Sequence, residues 1–280
     1  MSMVGIVSRN EPYIEECVLF NHAFGFDQIV VALHNDTYNS EEKIRNLELN
    51  NVDVIPFTCR EGDGSKWTEF HELGYEIIYN KYKNKVEWMA CFDDDEYLWI
   101  KDNVHINNLL ASVPSDVGQI KIPWVCFGHN NRTISAPLAE TRLKWFTKRE
   151  AVRDIVTCKQ FMRMDMIPQD QRWFYSHCGV VNGRTITFDS EEPCNDKEWH
   201  LLYPPHSDFE NKTVMLAHYR TGAMEDYVKR YKKNPIAHDG TLFDVYRFNQ
   251  WSQCDNAVED LRMIQYYPAL STLIQEIINK

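Results

Sequence analysis

Positions 86–98 read VEWMACFDDDEYL, and this stretch decides the fold. Residues 88–92 form a short apolar run without polar alternation, which is typical of a strand covered on both faces in a parallel sheet. Four acidic residues follow at once, at positions 93–96. Adjacent carboxylates repel one another and an unpaired buried charge is costly, so packing alone does not account for the acidic run.

The acidic run is compatible with a divalent cation. Hard oxygen ligands at the carboxyl end of a strand suit Mg²⁺ or Mn²⁺, with the phosphates of a substrate filling the remaining positions. The alternative is a solvated acidic turn. The flanking apolar strand favours the cation, because it determines where the acids point, but the acids alone leave both interpretations open.

The first hundred residues alternate strand and helix four times. Strand-like runs cover residues 3–8, 29–33, 52–57 and 88–92, and helical patterns lie between them. Asn10 and Ser40 are suitable helix N-caps, and Gly25 can end the first helix. Pro56 cannot donate to a ladder, so its strand is predicted to lie toward an edge.

This alternation predicts an α/β fold, a mostly parallel central sheet flanked by helices, whose ligands bind at the carboxyl ends of the strands. Three polar strand ends should converge there: residues 9–10, 34–36 and 93–96. Ordinary solvated loops are the alternative for each. A dinucleotide-binding oxidoreductase is disfavoured, because no G-x-G-x-x-G follows the first strand, and a P-loop is also absent.

The second half is less regular. Strands are predicted over residues 118–125, 158–163 and 214–220, and helices over residues 105–113 and 224–233. The basic cluster near residues 229–233 is interpreted as a solvated helix end. From position 243 onward the pattern predicts helices with four residues on apolar faces: Leu261, Ile264, Leu273 and Ile277.

Composition excludes several classes of function. The 280 residues carry a net charge of -11, which argues against a nucleic-acid partner and against a basic membrane-binding face. No apolar run reaches membrane length, and the N-terminus lacks a signal-peptide pattern. Eight cysteines occur without a C-x-x-C pair, which disfavours zinc and predicts reduced core residues in a cytoplasmic protein.

Five motifs occur in a fixed order. They are Arg9-Asn10-Glu11 with Asn35-Asp36, Asp93-Asp94-Asp95-Glu96-Tyr97, Trp124-Val125-Cys126-Phe127-Gly128, Lys159 with Arg163 and His177, and His218-Tyr219-Arg220 with Glu225-Asp226-Tyr227. Over residues 3–235 this set resembles glycosyltransferases of the GT-A fold, in the family-2 and family-92-like group. Thr221-Gly222 departs from the basic-Ser ending of the last motif.

The resemblance implies a GT-A (nucleotide-diphospho-sugar transferase) domain over residues 1–240. Its nucleotide-binding half would span about residues 1–100 and its acceptor and metal-closing half about 101–240. Beyond the resemblance, the helical extension, 241–280, is expected to pack on the same domain, and the alternatives are that it makes a dimer or leads into a partner domain. The implied activity is transfer of a sugar from a nucleotide-sugar donor, UDP-linked by preference, to a hydroxyl of a glycan or glycoconjugate. Mn²⁺ or Mg²⁺ would bridge the donor's phosphates.

The resemblance also implies roles for individual residues. Asp95 is expected to bind the metal directly, Asp93 to reach the metal or the ribose, and His218 to be the third protein ligand. A hydrogen-bonded core histidine is the alternative for His218. The expected donor-binding residues are Arg9, Asn35 and Asp36 near the base, Lys66, Asp93 and Asp94 near the nucleotide, and Lys159 and Arg220 near the phosphates.

An inverting enzyme would need a carboxylate base on the face opposite the leaving group, whereas a retaining enzyme would not. Asp189 is the preferred candidate base, and Glu191 and Asp170 are alternatives. Residues 173–175 are a candidate sugar-stacking platform. Two rival functions remain open, a metal-dependent nucleotidyltransferase and a non-catalytic sugar-binding module.

Overall fold

The computed structural model describes residues 1–9, 11–36, 38–59, 67–151, 153, 155–168, 177, 179–190, 194, 201–202, 211–231 and 244–279. Its first part alternates strands with helices, as the sequence predicts. The elements are β1 (Ser2–Ser8), α1 (Ile14–Phe24), β2 (Gln28–His34), α2 (Ser40–Arg45), β3 (Val52–Phe57), α3 (Trp67–Tyr82) and β4 (Trp88–Asp93).

Among the described residues, the second part adds eight strands and the five remaining helices. These elements are β5 (Glu96–Ile100), α4 (Ile106–Ala111), β6 (Val117–Cys126), α5 (Thr141–Trp145), β7 (Lys148–Arg149), β8 (Val156–Arg163), β9 (Arg184–Thr187), β10 (Leu201–Leu202), β11 (Val214–His218), α6 (Met224–Tyr231), α7 (Val245–Asp255), β12 (Val258–Glu259) and, as the fifth helix, α8 (Tyr267–Ile278).

The main sheet has the strand order β3-β2-β1-β4-β8-β6-β11-β5. The first four strands are parallel, and β3 with Pro56 lies at the edge, as predicted. Beyond β4 the sheet becomes mixed, because β8 runs antiparallel to both β4 and β6. The expectation of a mostly parallel sheet therefore describes the first half of the chain better than the second.

β4 is covered on both faces, which is what its apolar run predicts. Trp88, Ala90 and Phe92 belong to one hydrophobic cluster, which also includes α1 and α8 residues. Met89 and Cys91 belong to a second cluster on the α3 side of the sheet. Because successive strand residues point to opposite faces, an uninterrupted apolar run is needed to fill both clusters.

The chain does not form a hairpin after β4. It turns at residues 94–95 and enters β5, which pairs antiparallel with β11 at the other end of the sheet order. In that register His218 lies opposite Glu96, and it also lies beside Cys126 of β6. The end of β11 is thereby brought to the acidic turn.

Two helix starts differ from the prediction. Asn39, in a left-handed conformation, is the N-cap residue of α2 in place of Ser40, and the Asp36 carboxylate accepts the Glu41 backbone N–H at 3.0 Å. α1 begins at Ile14 with Tyr13 as the N-cap residue, and Asn10 lies outside the described residues. A carboxylate several residues upstream can satisfy a helix N-terminus as well as the adjacent hydroxyl can.

Gly25 ends α1 with φ of 99°, in the region that favours glycine. A Cβ at this position would overlap the imidazole of His105. We expect Gly25→Ala to lower the free energy of unfolding by about 2 kcal/mol or more, through strain and steric overlap. Urea unfolding measures the loss. The double variant Gly25→Ala/His105→Ala should recover the steric part, and equal losses in both variants would contradict this account.

The C-terminal segment packs on the same main cluster. The residues that it buries there are Met263, Tyr266, Leu270 and Ile274. Of the predicted apolar positions, Leu273 and Ile277 pack against this cluster on the same face of α8 as Leu270 and Ile274, whereas Leu261 is exposed. A 3-10 turn over Arg262–Tyr266 precedes α8, so α-helical spacing does not continue back to Leu261.

None of the described helices combines the length and the apolar character needed to cross a membrane. Of the cysteines that the structure describes, five are buried: Cys17, Cys91, Cys126, Cys158 and Cys194.

Candidate functional site

The acidic turn joins two buried strands. Asp93 ends β4, Asp94 and Asp95 form the turn, and Glu96 begins β5. Asp95 and Glu96 are only 4% and 1% exposed. The turn is closed by a hydrogen bond from the Asp93 backbone N–H to Glu96 Oε2 (2.8 Å), and the Asp95 carbonyl accepts the Tyr219 N–H (2.9 Å). These bonds make the turn part of the folded core.

Lys159 of β8 lies between two of the carboxylates. Its side chain is fully buried, and Nζ lies 2.9 Å from Asp93 Oδ2 and 3.3 Å from Glu96 Oε2. His71 of α3 faces the other Asp93 oxygen, with Nδ1 3.4 Å from Oδ1. Asp93 and Glu96 are thus directed toward a buried ammonium.

The pKa shifts of these side chains are caused mainly by burial and by the charge of the Lys159 ammonium. Burial opposes ionisation of Asp93, but the charge and hydrogen bond of Lys159, together with the imidazoles of His71 and His177, outweigh it and hold the pKa of Asp93 below its usual range. Burial lowers the pKa of His71 to about 4, although Asp93 opposes the shift, so this imidazole is neutral at neutral pH. Burial also raises the pKa of Glu96, with Lys159 opposing.

Asp95 points to a different set of partners. Its Oδ2 atom lies 3.2 Å from Nε2 of His218, the last residue of β11. The His218 ring lies against the indole of Trp124, with ring centroids 4.2 Å apart, and its buried Nδ1 has no hydrogen-bond partner among the described residues. The predicted ligands Asp95 and His218 are therefore neighbours, although they lie on strands far apart in the sequence.

Asp93 is not part of that pair. Within the part of the chain that the structure describes, no ligand group with all atoms within 4.8 Å of one another contains Asp93, Asp95 and His218 together. The reason is the opposed direction of the side chains, since Asp93 faces Lys159 and Asp95 faces His218. Of the three predicted protein ligands, the structure brings two together.

The Asp95–His218 pair fits a divalent cation. Two adjacent ligands about 2.1 Å from an octahedral metal ion lie about 3 Å apart, close to the separation of Asp95 Oδ2 and His218 Nε2. The surroundings also carry excess negative charge. Burial and the charge of Asp95 raise the pKa of Asp94, as expected when neighbouring carboxylates lack enough cations. A divalent ion would offset this repulsion.

Arg230 of α6 is the functional residue that the sequence interpretation missed, because its helix end was expected to be solvated. Its side chain is 10% exposed, against 45% for its neighbour Lys229. Nη1 donates to Asp95 Oδ2 at 2.7 Å, and Nη2 contacts Glu11. Helical spacing was the available signal, since Asp226 lies one turn before Arg230 on the buried side of α6.

Arg220 pairs with a carboxylate outside the acidic turn. Its guanidinium forms two hydrogen bonds with Asp255 of α7, at 2.9 and 2.7 Å, and stacks on Trp251. Asp255 also forms a buried group with Cys126 and Glu150, whose ligand atoms all lie within 4.8 Å of one another. Arginines already balance both carboxylates there, Arg220 on Asp255 and Arg153 on Glu150. That group therefore has no excess negative charge to attract a metal.

The predicted base-binding residues lie at the ends of β1 and β2. The Arg9 guanidinium lies over the Phe70 ring, 5.3 Å from its centroid, and burial lowers the pKa of Arg9. Asn35 and Asp36 line an open hollow beside Phe57. Asp36 already caps α2, which is its main structural role. Lys66 lies outside the described residues.

Asp189 lies away from the acidic turn. Its Oδ1 accepts the Thr213 backbone N–H at 2.7 Å, just before β11 begins. His218 ends the same strand, so five residue steps, about 16 Å, separate the two positions along β11. The other candidate bases, Glu191 and Asp170, and the aromatic residues 173–175 lie outside the described residues.

No protein-family model matches the chain, and no curated protein matches its sequence. Solved structures that resemble it include HddC from Yersinia pseudotuberculosis, with a TM-score of 0.36 and 10% identity over 83% of this chain and 98% of that one. HddC complexed with GMP-PN gives 0.39 and 11% over the same shares. 4-Diphosphocytidyl-2C-methyl-D-erythritol synthase from Anaerococcus prevotii gives 0.34 and 8%, over 59% and 70%. Likenesses this low do not assign an activity.

Proposed function

We propose that the chain is a metal-dependent glycosyltransferase, which moves a sugar from a nucleotide-diphosphate donor to a hydroxyl of a glycan or glycoconjugate. One observation carries the proposal: Asp95 and His218 offer an oxygen and a nitrogen ligand 3.2 Å apart at the carboxyl ends of β4 and β11. Ligands of α/β sheets bind at the carboxyl ends of the strands, so the pair lies where a donor's phosphates would be.

Residues of this chain would divide the work at that site. Asp95 and His218 would hold Mn²⁺ or Mg²⁺, and the bound ion would offset the charge that develops on the nucleotide diphosphate as it leaves. Lys159 keeps Asp93 ionised as an acceptor for a donor hydroxyl, because the adjacent ammonium holds the pKa of Asp93 low. The nucleotide base would lie in a space lined by Arg9, Asn35 and Asp36.

Both rival functions make different chemical predictions. A nucleotidyltransferase consumes a nucleoside triphosphate and a phosphorylated acceptor and releases pyrophosphate, whereas the proposed enzyme releases the nucleoside diphosphate. A sugar-binding module would bind metal and sugar with no nucleotide affinity. These differences make nucleotide binding and product identity the deciding measurements.

Calorimetry of UDP and of a panel of UDP-sugars, with Mn²⁺ and with the chelator EDTA, tests the proposal. We expect UDP to bind with Mn²⁺ and to bind at least about tenfold more weakly without it, since the ion contacts both phosphates. Slow release of UDP from one UDP-sugar would identify the donor. No nucleotide binding under either condition would overturn the proposal, and pyrophosphate release from a triphosphate would favour the nucleotidyltransferase.

A further inference from the structure

We infer that Arg230 occupies the metal-binding oxygen of Asp95 until a cation binds, and that it then becomes a phosphate-binding residue for the nucleotide diphosphate. This inference rests on the proposed function and adds a residue and an order of events to it. Arg230 is a positioning residue in the metal-free protein and a substrate contact in the loaded one.

Arg230 and His218 both contact the same oxygen atom of Asp95. Asp95 Oδ2 lies 2.7 Å from Arg230 Nη1 and 3.2 Å from His218 Nε2. A metal held by Asp95 Oδ2 and His218 would need the same lone-pair region that the guanidinium now uses. The guanidinium and the divalent ion also carry like charge, so both cannot remain in contact with one oxygen at low cost.

Arg230 can leave Asp95 without leaving the site. Its Nη2 atom contacts Glu11, which is 1% exposed and lies beyond the end of β1. Glu11 is itself held in place, because Oε1 accepts the Tyr13 N–H at 3.0 Å and contacts the buried Arg142. Glu11 therefore provides an anchor that keeps the guanidinium beside the acidic turn while the Asp95 contact breaks.

The helix that carries Arg230 is fixed at its start. Asp226 accepts the Ala223 N–H (2.9 Å) and the Tyr13 hydroxyl (2.8 Å), and Tyr227 packs against Phe248. Near its end, the Lys229 carbonyl accepts the Tyr38 hydroxyl at 2.9 Å, which joins α6 to the loop after β2. The exchange therefore requires side-chain rotation of Arg230, and α6 can stay where it is.

After Arg230 leaves Asp95, the charges of the bound ion and of the nucleotide phosphates determine the new position of its guanidinium. Once a divalent ion offsets Asp94 and Asp95, the attraction that held Arg230 on them falls. A nucleotide diphosphate bound to that ion adds new negative charge within reach, and planar guanidinium groups pair well with phosphate oxygens. Arg230 is thus expected to oppose metal binding in the absence of nucleotide and to favour nucleotide binding in its presence.

The inference predicts that replacing Arg230 changes the affinity for Mn²⁺ and the affinity for UDP in opposite directions. For wild type and Arg230→Gln we would measure Mn²⁺ affinity alone, by electron paramagnetic resonance, and then UDP affinity at saturating Mn²⁺, by calorimetry. Arg230→Gln is expected to bind Mn²⁺ at least about fivefold more tightly and UDP at least about tenfold more weakly, the size of one charge-assisted phosphate contact.

Two further variants separate this role from a structural one. Lys229→Gln changes an exposed cation on the same turn, paired with Glu225, and should alter neither affinity. Arg230→Lys keeps the charge, so it should keep most of the opposition to Mn²⁺ while losing part of the UDP affinity. Because Arg230→Lys also retains the ion pairs, it keeps the test valid if Arg230→Gln folds poorly.

The outcomes are distinguishable from failure of the proposed function. If wild type binds neither Mn²⁺ nor UDP, the proposed function fails. If wild type binds both, but Arg230→Gln weakens both or changes neither, the glycosyltransferase proposal stands and the exchange role of Arg230 is overturned.

Discussion

Replacing Asp95 with asparagine is expected to lower Mn²⁺ affinity by at least about 100-fold and to remove the metal-dependent part of UDP binding. Asp95 is one of the two proposed ligands, whose Oδ2 and Nε2 atoms lie 3.2 Å apart, and it is the carboxylate of the pair. Asparagine preserves the size of the side chain and an acceptor for Arg230. The change therefore removes mainly the attraction for the cation, and paramagnetic resonance with calorimetry measures the loss.

Protein stability should change little in Asp95→Asn. Burial and the Asp95 charge raise the pKa of Asp94, so removing that charge relieves a repulsion while it weakens the pair with Arg230. Asp102→Asn is a matched control, because Asp102 is exposed and has φ of 56°, a conformation that asparagine tolerates. Unchanged Mn²⁺ affinity in Asp95→Asn would remove Asp95 from the metal site.

Lys159→Met is expected to lower the free energy of unfolding by about 3–5 kcal/mol at neutral pH, the usual cost of removing one partner from a buried ion pair. Methionine fills a similar volume, so the loss would come from the charge. Without the ammonium, Asp93 and Glu96 lose the buried cation that both of them contact. Urea unfolding followed by circular dichroism measures the change.

The pH dependence supplies a second readout for Lys159→Met. In wild type the pKa of Asp93 is depressed, so its contribution to stability is present above the unfolded pKa of about 3.9 and is lost as pH falls through the folded pKa. The variant loses that depression. The stability difference between wild type and variant should therefore shrink as pH falls below about 4.

Two control variants test whether the loss of stability in Lys159→Met comes from the buried charge. Lys144→Met changes an exposed lysine paired with Glu140 and should lower the free energy of unfolding far less than Lys159→Met does. Lys159→Met/Glu96→Gln removes one of the stranded carboxylates and should recover part of the loss. A loss below about 1 kcal/mol in Lys159→Met would show that the buried triad contributes little to folding.

Local patterns predicted the elements well, and their failures are local too. The apolar runs at residues 3–8, 29–33, 52–57 and 88–92 became β1 to β4 with small shifts in their ends. Pro56 and Gly25 acted as expected, because the missing N–H and the left-handed conformation belong to single residues. Leu273 and Ile277 lie on the face of α8 that packs on the core, as predicted, whereas the prediction was wrong for Leu261, which is exposed just before a 3-10 turn.

For the candidate site, the sequence by itself determined that four acids follow a buried strand and that His218 ends another. Only the tertiary structure decided their partners: His218 for Asp95, Lys159 for Asp93, and Arg230 in place of Arg220 beside the turn. Strand and helix periodicity depends on neighbouring residues, so it can be read along the chain. Pairing of side chains more than sixty residues apart depends on sheet order and register, which local patterns do not encode.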